Sequence, residues 1–191
     1  MSVPFGGLPS RFEPVGEPVG LALVLPGRAY SPAAPLLEFA RQALLAAGWT
    51  VQQLWWDLPA GGADHGAWVR GQAGAALAEE SAGRLLICGK SLGTLAASYA
   101  AELGCEAIWL TPLLTDPAVV AGLHANPARQ LLVGGTADPL WDADVAADLA
   151  GRGCDVLQVD GADHGMEVPA GPVGSAEVLV EVTRAVVAFL D

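Results

Sequence analysis

The sequence predicts an α/β fold, a three-layer α/β/α sandwich built on a mostly parallel sheet, and three observations carry that prediction. Short apolar runs alternate with longer segments of helical spacing, the pattern of successive β/α units. Most of those runs are apolar nearly throughout, as strands must be when helices cover both faces of the sheet. The chain's 191 residues, 52% hydrophobic and 16% charged, are enough for one domain with a full core.

In chain order, strands are expected at 21–25 (LALVL), 50–56 (TVQQLWW), 84–88 (RLLIC), 107–111 (AIWLT), 130–134 (QLLVG) and 155–159 (DVLQV). The segment RFEPV at 11–15 is a candidate for a short antiparallel edge strand, although its proline and its brevity count against a strand. Otherwise the Pro/Gly-rich residues 1–20 read as a loosely ordered arm of the same single domain, 1–191. The first helix is expected to open with Ser31 as N-cap and Pro32 at its first position, and to stop at Gly48. Further helices are expected near 64–82, 92–103 and 143–151. In a last helix, Leu179, Val182, Val186 and Phe189 recur at helical spacing and give one apolar stripe to dock on the sheet. No internal repeat is present.

Composition narrows the classes of function. Nine basic against twenty-one acidic residues give a formal charge of -12, which repels phosphate backbones and anionic membranes, so neither nucleic acid nor a membrane is expected as a partner. Cys88, Cys105 and Cys154 lack C-x-x-C spacing and are odd in number; they read as buried or half-buried thiols, not as a disulfide framework or zinc site. The first residues carry no basic start and no apolar core of a signal peptide, and no segment approaches eighteen uninterrupted apolar residues. A reduced, cytoplasmic, soluble protein without metal or cofactor is expected.

The stretch LLICGKSLGTLAAS, residues 85–98, decides the chemistry. Gly89-Lys90-Ser91 would close a phosphate-binding loop of the form G-x-x-x-x-G-K-[ST] only if position 84 were glycine, and it is Arg84. The preceding residues read as a buried strand, leaving no loop to wrap a phosphate. The pattern G-x-S-x-G fits without adjustment as Gly89-Lys90-Ser91-Leu92-Gly93, between an apolar strand and a helical run. That is the setting of a nucleophile elbow, in which a sharp turn holds the serine in a strained conformation and flanking glycines let strand and helix pack closely. Lys90, the single lysine of the chain, reads as a solvated side chain beside the turn and receives no catalytic role.

A serine on such a turn is a poor nucleophile without a base, and the base needs an orienting carboxylate. After Ser91 the chain offers Asp138, just beyond the strand ending near Gly134, and His164, just beyond the next strand. Loops at the carboxyl ends of parallel strands gather on one edge of the sheet, so these residues can meet there. Asp116, after the preceding strand, is the rival carboxylate. His65 precedes the serine, and His65 and His124 read as solvated or capping residues, with His124 placed where contact with substrate is conceivable. Asp163, beside His164, is expected to point away from its ring.

With GKSLG, the acid loop GGTADPLWD and the histidine loop GADHG in this order, residues 20–191 resemble the α/β-hydrolase family, particularly its small lid-less members related to dienelactone hydrolases and short carboxylesterases. The resemblance implies Ser91 as nucleophile, His164 as general base and Asp138 as the group that orients it. It also implies an oxyanion hole formed by the backbone N–H of Leu92 with a second donor, Arg28 or Ala29, from the loop LPGRAYS. Family members often carry His-Gly in that loop, where this chain has Pro26-Gly27. The Arg28 side chain either attracts an acidic substrate or joins a surface salt bridge.

Larger hydrolases insert a cap where this chain has only the short stretch between Thr111 and Gln130, so no cap domain is expected. An open cleft follows, lined by Tyr30, Trp56, Leu113 and Trp141 and suited to a small acyl group. The implied activity is a serine hydrolase cleaving a small ester or thioester through an acyl-enzyme. The alternative is a catalytically silent binding protein of the same fold.

Overall fold

The computed structural model describes residues 10–59, 64–78, 80 and 82–191; residues 1–9 of the expected arm, and positions 79 and 81 at the end of the expected second helix, lie outside the described residues. Among the described residues seven strands form one sheet in the order β1-β3-β2-β4-β5-β6-β7. They are β1 (Arg11–Phe12), β2 (Gly20–Leu25), β3 (Trp49–Gln53), β4 (Leu85–Lys90), β5 (Glu106–Leu110), β6 (Gln130–Gly135) and β7 (Asp155–Val159). Only β1 runs antiparallel, pairing Arg11 with Gln52 and Phe12 with Val51 at the edge, so the RFEPV segment supplies a two-residue edge strand that stops before its proline. All other pairings are parallel.

The helices are α1 (Pro35–Ala46), α2 (His65–Leu77), α3 (Ala97–Leu103), α4 (Pro117–Ala125), α5 (Ala143–Gly151) and α6 (Gly171–Leu190), with a 3-10 segment over Ser91–Ala96 leading into α3. The direction of winding places them. From β2 the chain moves one way to β3, then reverses across β2 to β4 and continues to β7. Because crossovers between parallel strands are right-handed, this reversal puts α1 on one face and α2 through α5 on the other. The two buried clusters match. Ala22 and Val24 of β2 and Val133 of β6 pack with Leu37 and Leu44 of α1 and Val182 and Phe189 of α6. Leu23 and Leu25 of β2 and Trp109 of β5 pack with Val69 of α2, Ala100 of α3, Leu123 of α4 and Leu149 of α5. Alternate residues of one strand thus serve opposite cores, which explains why these strands read as continuous apolar runs.

The elements depart from the sequence prediction in several places, among them the second expected helix, which spans only His65–Leu77, and the expected helix at 92–103, which is α-helical only from Ala97. The first helix begins at Pro35, not Pro32: Ser31 closes a turn by accepting from the Ala34 N–H at 3.0 Å. No side chain at the N-cap satisfies this helix start; instead the Tyr30 hydroxyl accepts from the Leu36 N–H at 2.9 Å. The end is as expected, with Gly48 at φ 86° just beyond the last turn. The strand expected over 50–56 is β3 and ends at Gln53, and Trp56 leaves the sheet to pack on Trp68, their ring centroids 5.0 Å apart. Helix α4 was not predicted at all, although Asp116-Pro117 is the same cap-and-proline signal, with Asp116 Oδ1 accepting from the Ala118 N–H at 2.8 Å. No helix among the described residues is long and apolar enough to cross a membrane.

Candidate active site

The winding reverses between β2 and β4, so a crevice opens beyond their carboxyl ends, the usual ligand position in such sheets. Ser91 follows β4 there, at φ 52°, a left-handed conformation that side-chain-bearing residues seldom adopt. The turn closes only because its flanking residues are glycines. A Cβ on Gly93 would lie 2.4 Å from the Leu25 carbonyl oxygen, and one on Gly89 would lie 2.8 Å from the Gly93 carbonyl oxygen. Inside the turn, Thr94 Oγ1 donates to the Ser91 carbonyl at 2.6 Å.

Asp138 and His164 come from the loops after β6 and β7, which are tied together before they reach the serine. Thr136 N–H donates to the Val159 carbonyl and Ala137 N–H to the Ala162 carbonyl, each at 3.0 Å, while Gly161 N–H donates to Thr136 Oγ1 at 2.7 Å. Gly135 makes this approach possible, since a Cβ there would sit 2.1 Å from the Ala162 carbonyl oxygen. Asp163 turns away from the imidazole and shapes its loop, accepting from the N–H groups of Gly165 at 2.7 Å and Glu167 at 3.0 Å.

These loops bring Ser91, His164 and Asp138 into one line. His164 Nε2 lies 2.7 Å from Ser91 Oγ, and His164 Nδ1 lies 2.7 Å from Asp138 Oδ2. The Asp138 side chain is fully buried, and its other oxygen accepts from the Leu140 N–H at 2.9 Å. An ionised carboxylate only accepts, so Nδ1 carries the proton and Nε2 faces the serine hydroxyl with a lone pair. Asp116, the rival carboxylate, caps α4 and reaches only the cavity wall.

The line opens into a cavity of about 810 Å³ whose lining includes Arg28, Ala29, Tyr30, Leu92, Leu95 and Leu113. The sequence-predicted donors Leu92, Arg28 and Ala29 therefore border the serine's own cavity. Leu92 is the second residue of the 3-10 segment, where backbone N–H groups have no partner within the helix. Tyr30 and Leu113 line the cavity as expected; Trp56 and Trp141 do not. Trp56 is occupied by Trp68, and Trp141 lies flat on Gly134, donating from Nε1 to Gln158 Oε1 at 2.8 Å. Arg28 is exposed at the cavity and joins no ion pair among the described residues.

Three further placements bear on the sequence reading. His65 opens α2 and borders the cavity, while Asp64 beside it is the cap, accepting from the Ala67 N–H at 3.1 Å. His124 lies 3.1 Å from Asp148 at a separate, smaller cavity and has no access to the serine. Lys90 is not solvated: it is 3% exposed, its Nζ donates to the His164 carbonyl at 3.0 Å, and it sits 4.7 Å from the Tyr30 ring centroid. Burial pulls its ammonium down to about 8, against the opposing influence of Asp138 and then Asp163. Its position inside the turn, as the single lysine of the chain, was the signal available in the sequence.

The arrangement is that of a lid-less α/β-hydrolase fold. No family model and no curated protein sequence matches the chain, but solved structures do. Est1E from Butyrivibrio proteoclasticus superposes with a TM-score of 0.72 at 16% identity, over 94% of this chain and 90% of its own. An α/β serine hydrolase homologue from Coxiella burnetii gives 0.72 at 15% identity, over 95% of this chain and 90% of its own. An α/β serine hydrolase without a lid from Xanthomonas campestris gives 0.67 at 20% identity, over 94% of this chain and 85% of its own.

Proposed function

We propose that the chain is a serine hydrolase that cleaves a small ester or thioester through an acyl-enzyme. The observation that carries this reading is the unbroken line from Asp138 through His164 to Ser91, with 2.7 Å at each junction. Ser91 Oγ attacks the acyl carbon as its proton passes to His164 Nε2, and the carbonyl oxygen takes the negative charge. Backbone N–H groups of Leu92 and of Arg28 or Ala29 stabilise that charge. His164 then returns the proton to the departing alcohol or thiol as the bond from the acyl carbon breaks. Water repeats the sequence in the deacylation half: it gives a proton to Nε2, forms the carboxylic acid, and Ser91 Oγ is reprotonated. Asp138 holds the imidazole tautomer throughout and keeps its own charge.

A cavity of about 810 Å³ has room for an acyl group at the serine, and ferulic acid, found bound to the similarly folded Est1E, places aryl acyl groups beside short aliphatic ones as substrates to try. A fluorophosphonate probe tests the proposal. Covalent labelling of the wild type that disappears in Ser91→Ala supports it; a folded wild type that stays unlabelled refutes it in favour of a silent binding protein.

A further inference from the structure

We propose that Lys90 is the positioning residue for His164, its side chain fastening the histidine loop to the serine turn and to the loop after β2. This rests on the proposed triad and adds to it a part that the triad does not contain.

Asp138 and His164 form one unit, because the loops that carry them share the hydrogen bonds of Thr136, Ala137 and Gly161. Ser91 belongs to another unit, the turn after β4. Among the described residues two hydrogen bonds join that turn to the histidine loop. One is Ser91 Oγ to His164 Nε2, which must break and re-form in every reaction cycle. The other is Lys90 Nζ to the His164 carbonyl, which takes no part in bond making and persists while the first is broken. The lysine also meets the third loop of the site. A Cβ on Gly27 would lie 3.3 Å from Lys90 Cδ, and Nζ faces the Tyr30 ring at 4.7 Å. One side chain thus touches the loops after β2, β4 and β7, with its root beside the serine.

The choice of lysine is costly, which argues for a purpose. Buried ammonium groups lose hydration, and Lys90 forms no carboxylate ion pair within 4.0 Å among the described residues. An apolar residue of equal length would fill the slot without that cost. What it would lack is a donor to the His164 carbonyl. The charged and titratable groups around the amine are Asp138 and Asp163, with Tyr30 beside it. Arg28, Asp64, His65, Asp116 and the His164 imidazole border the same cavity, and Glu167 acts on Tyr30.

The test compares wild type with Lys90→Met and Lys90→Arg in two readouts. In hydrolysis of an activated acetate ester, Lys90→Met should lower kcat by about 10- to 100-fold, the effect of a misplaced catalytic group, with KM changed less than about threefold. Lys90→Arg, which restores a permanently charged donor, should recover most of that loss. Wild-type activity should weaken above about pH 8, as the charge-assisted hydrogen bond to the His164 carbonyl becomes a weaker neutral amine bond, whereas Lys90→Arg should hold its activity through pH 10. The second readout needs no activity: the Lys90 Cε and Nζ resonances of the wild type should titrate near pH 8, and the His164 carbonyl carbon should follow with an inflection at that same midpoint, which Lys90→Met lacks. A wild-type kcat in Lys90→Met, or a wild-type carbonyl resonance that ignores this titration, overturns the proposal. If Lys90→Met does not fold, the wild-type titration alone decides. If the wild type fails to hydrolyse ester or react with fluorophosphonate, the hydrolase reading falls, and the resonance still judges whether Lys90 holds the loop.

Discussion

Replacing Lys90 with methionine should change how the stability of this protein depends on pH, and the size of the change follows from the burial of one ammonium group. In the fold that group is pulled down to about 8 by desolvation, from an ordinary 10.5. The folded chain therefore holds the proton less tightly than the unfolded chain. Between these two values the unfolded state binds more protons, so stability rises with pH; below about 8 the penalty is present in full, roughly 3 kcal/mol. By pH 10 most of the unfolded lysine is still protonated and nearly all of the folded lysine is not, so the wild type recovers about 2.5 kcal/mol between pH 7 and pH 10. Methionine has no proton to exchange. Burial holds the neighbouring Tyr30 phenol above its ordinary 10.0, so its neutral form still dominates at the top of this range. Urea denaturation of both proteins at pH 7, 8, 9 and 10 measures the gap between them. The stability of Lys90→Met minus that of wild type should fall by about 2.5 kcal/mol from pH 7 to 10, with unchanged m-values. A gap constant to within about 0.5 kcal/mol would mean that the lysine is hydrated like any surface residue, and the cost assigned to it would vanish.

Three more outcomes follow from the same geometry. Asp138→Asn should leave the fold intact and lower turnover of an activated ester by as much as about 10⁴-fold, because the amide no longer fixes the proton on His164 Nδ1; Asp116→Asn should leave turnover nearly unchanged. Asp116→Ala, by contrast, should cost about 1 kcal/mol in urea denaturation through loss of the α4 cap, with the rate again unaffected. Gly93→Ala should destabilise by about 3 kcal/mol in the same assay, since its Cβ would be driven against the Leu25 carbonyl oxygen in the crossing of β2 and the serine turn; a stable, fully active Gly93→Ala protein would show that the turn has room to spare.

The parts of this molecule that local sequence encodes are those in which a residue's neighbours in the chain are also its neighbours in space. Strands β2, β4, β5 and β6 are buried on both faces, so unbroken apolar runs marked them directly. Ser91, Asp138 and His164 follow strand ends, and parallel topology gathers strand ends on one edge. The misplacements occur where a distant group decides the local outcome. Ser31-Pro32 and Ala34-Pro35 are competing helix starts, and the Tyr30 hydroxyl on the Leu36 N–H favours the second. Helix α4 carries Gly122 at its centre, a poor helix former, because a Cβ there would lie 2.5 Å from the Ser98 backbone nitrogen where α3 and α4 cross. Trp141 was expected at the cavity, but the bare backbone of Gly134 gives its ring a seat on the sheet. Lys90 follows the same logic more strongly. As a residue type it favours water, and only three loops converging from separate strands create a slot in which its amine meets the His164 carbonyl. Lys90 is therefore the residue of the site that sequence alone placed least well: its solitary position in the turn marked it, and only the converging loops show what its amine meets.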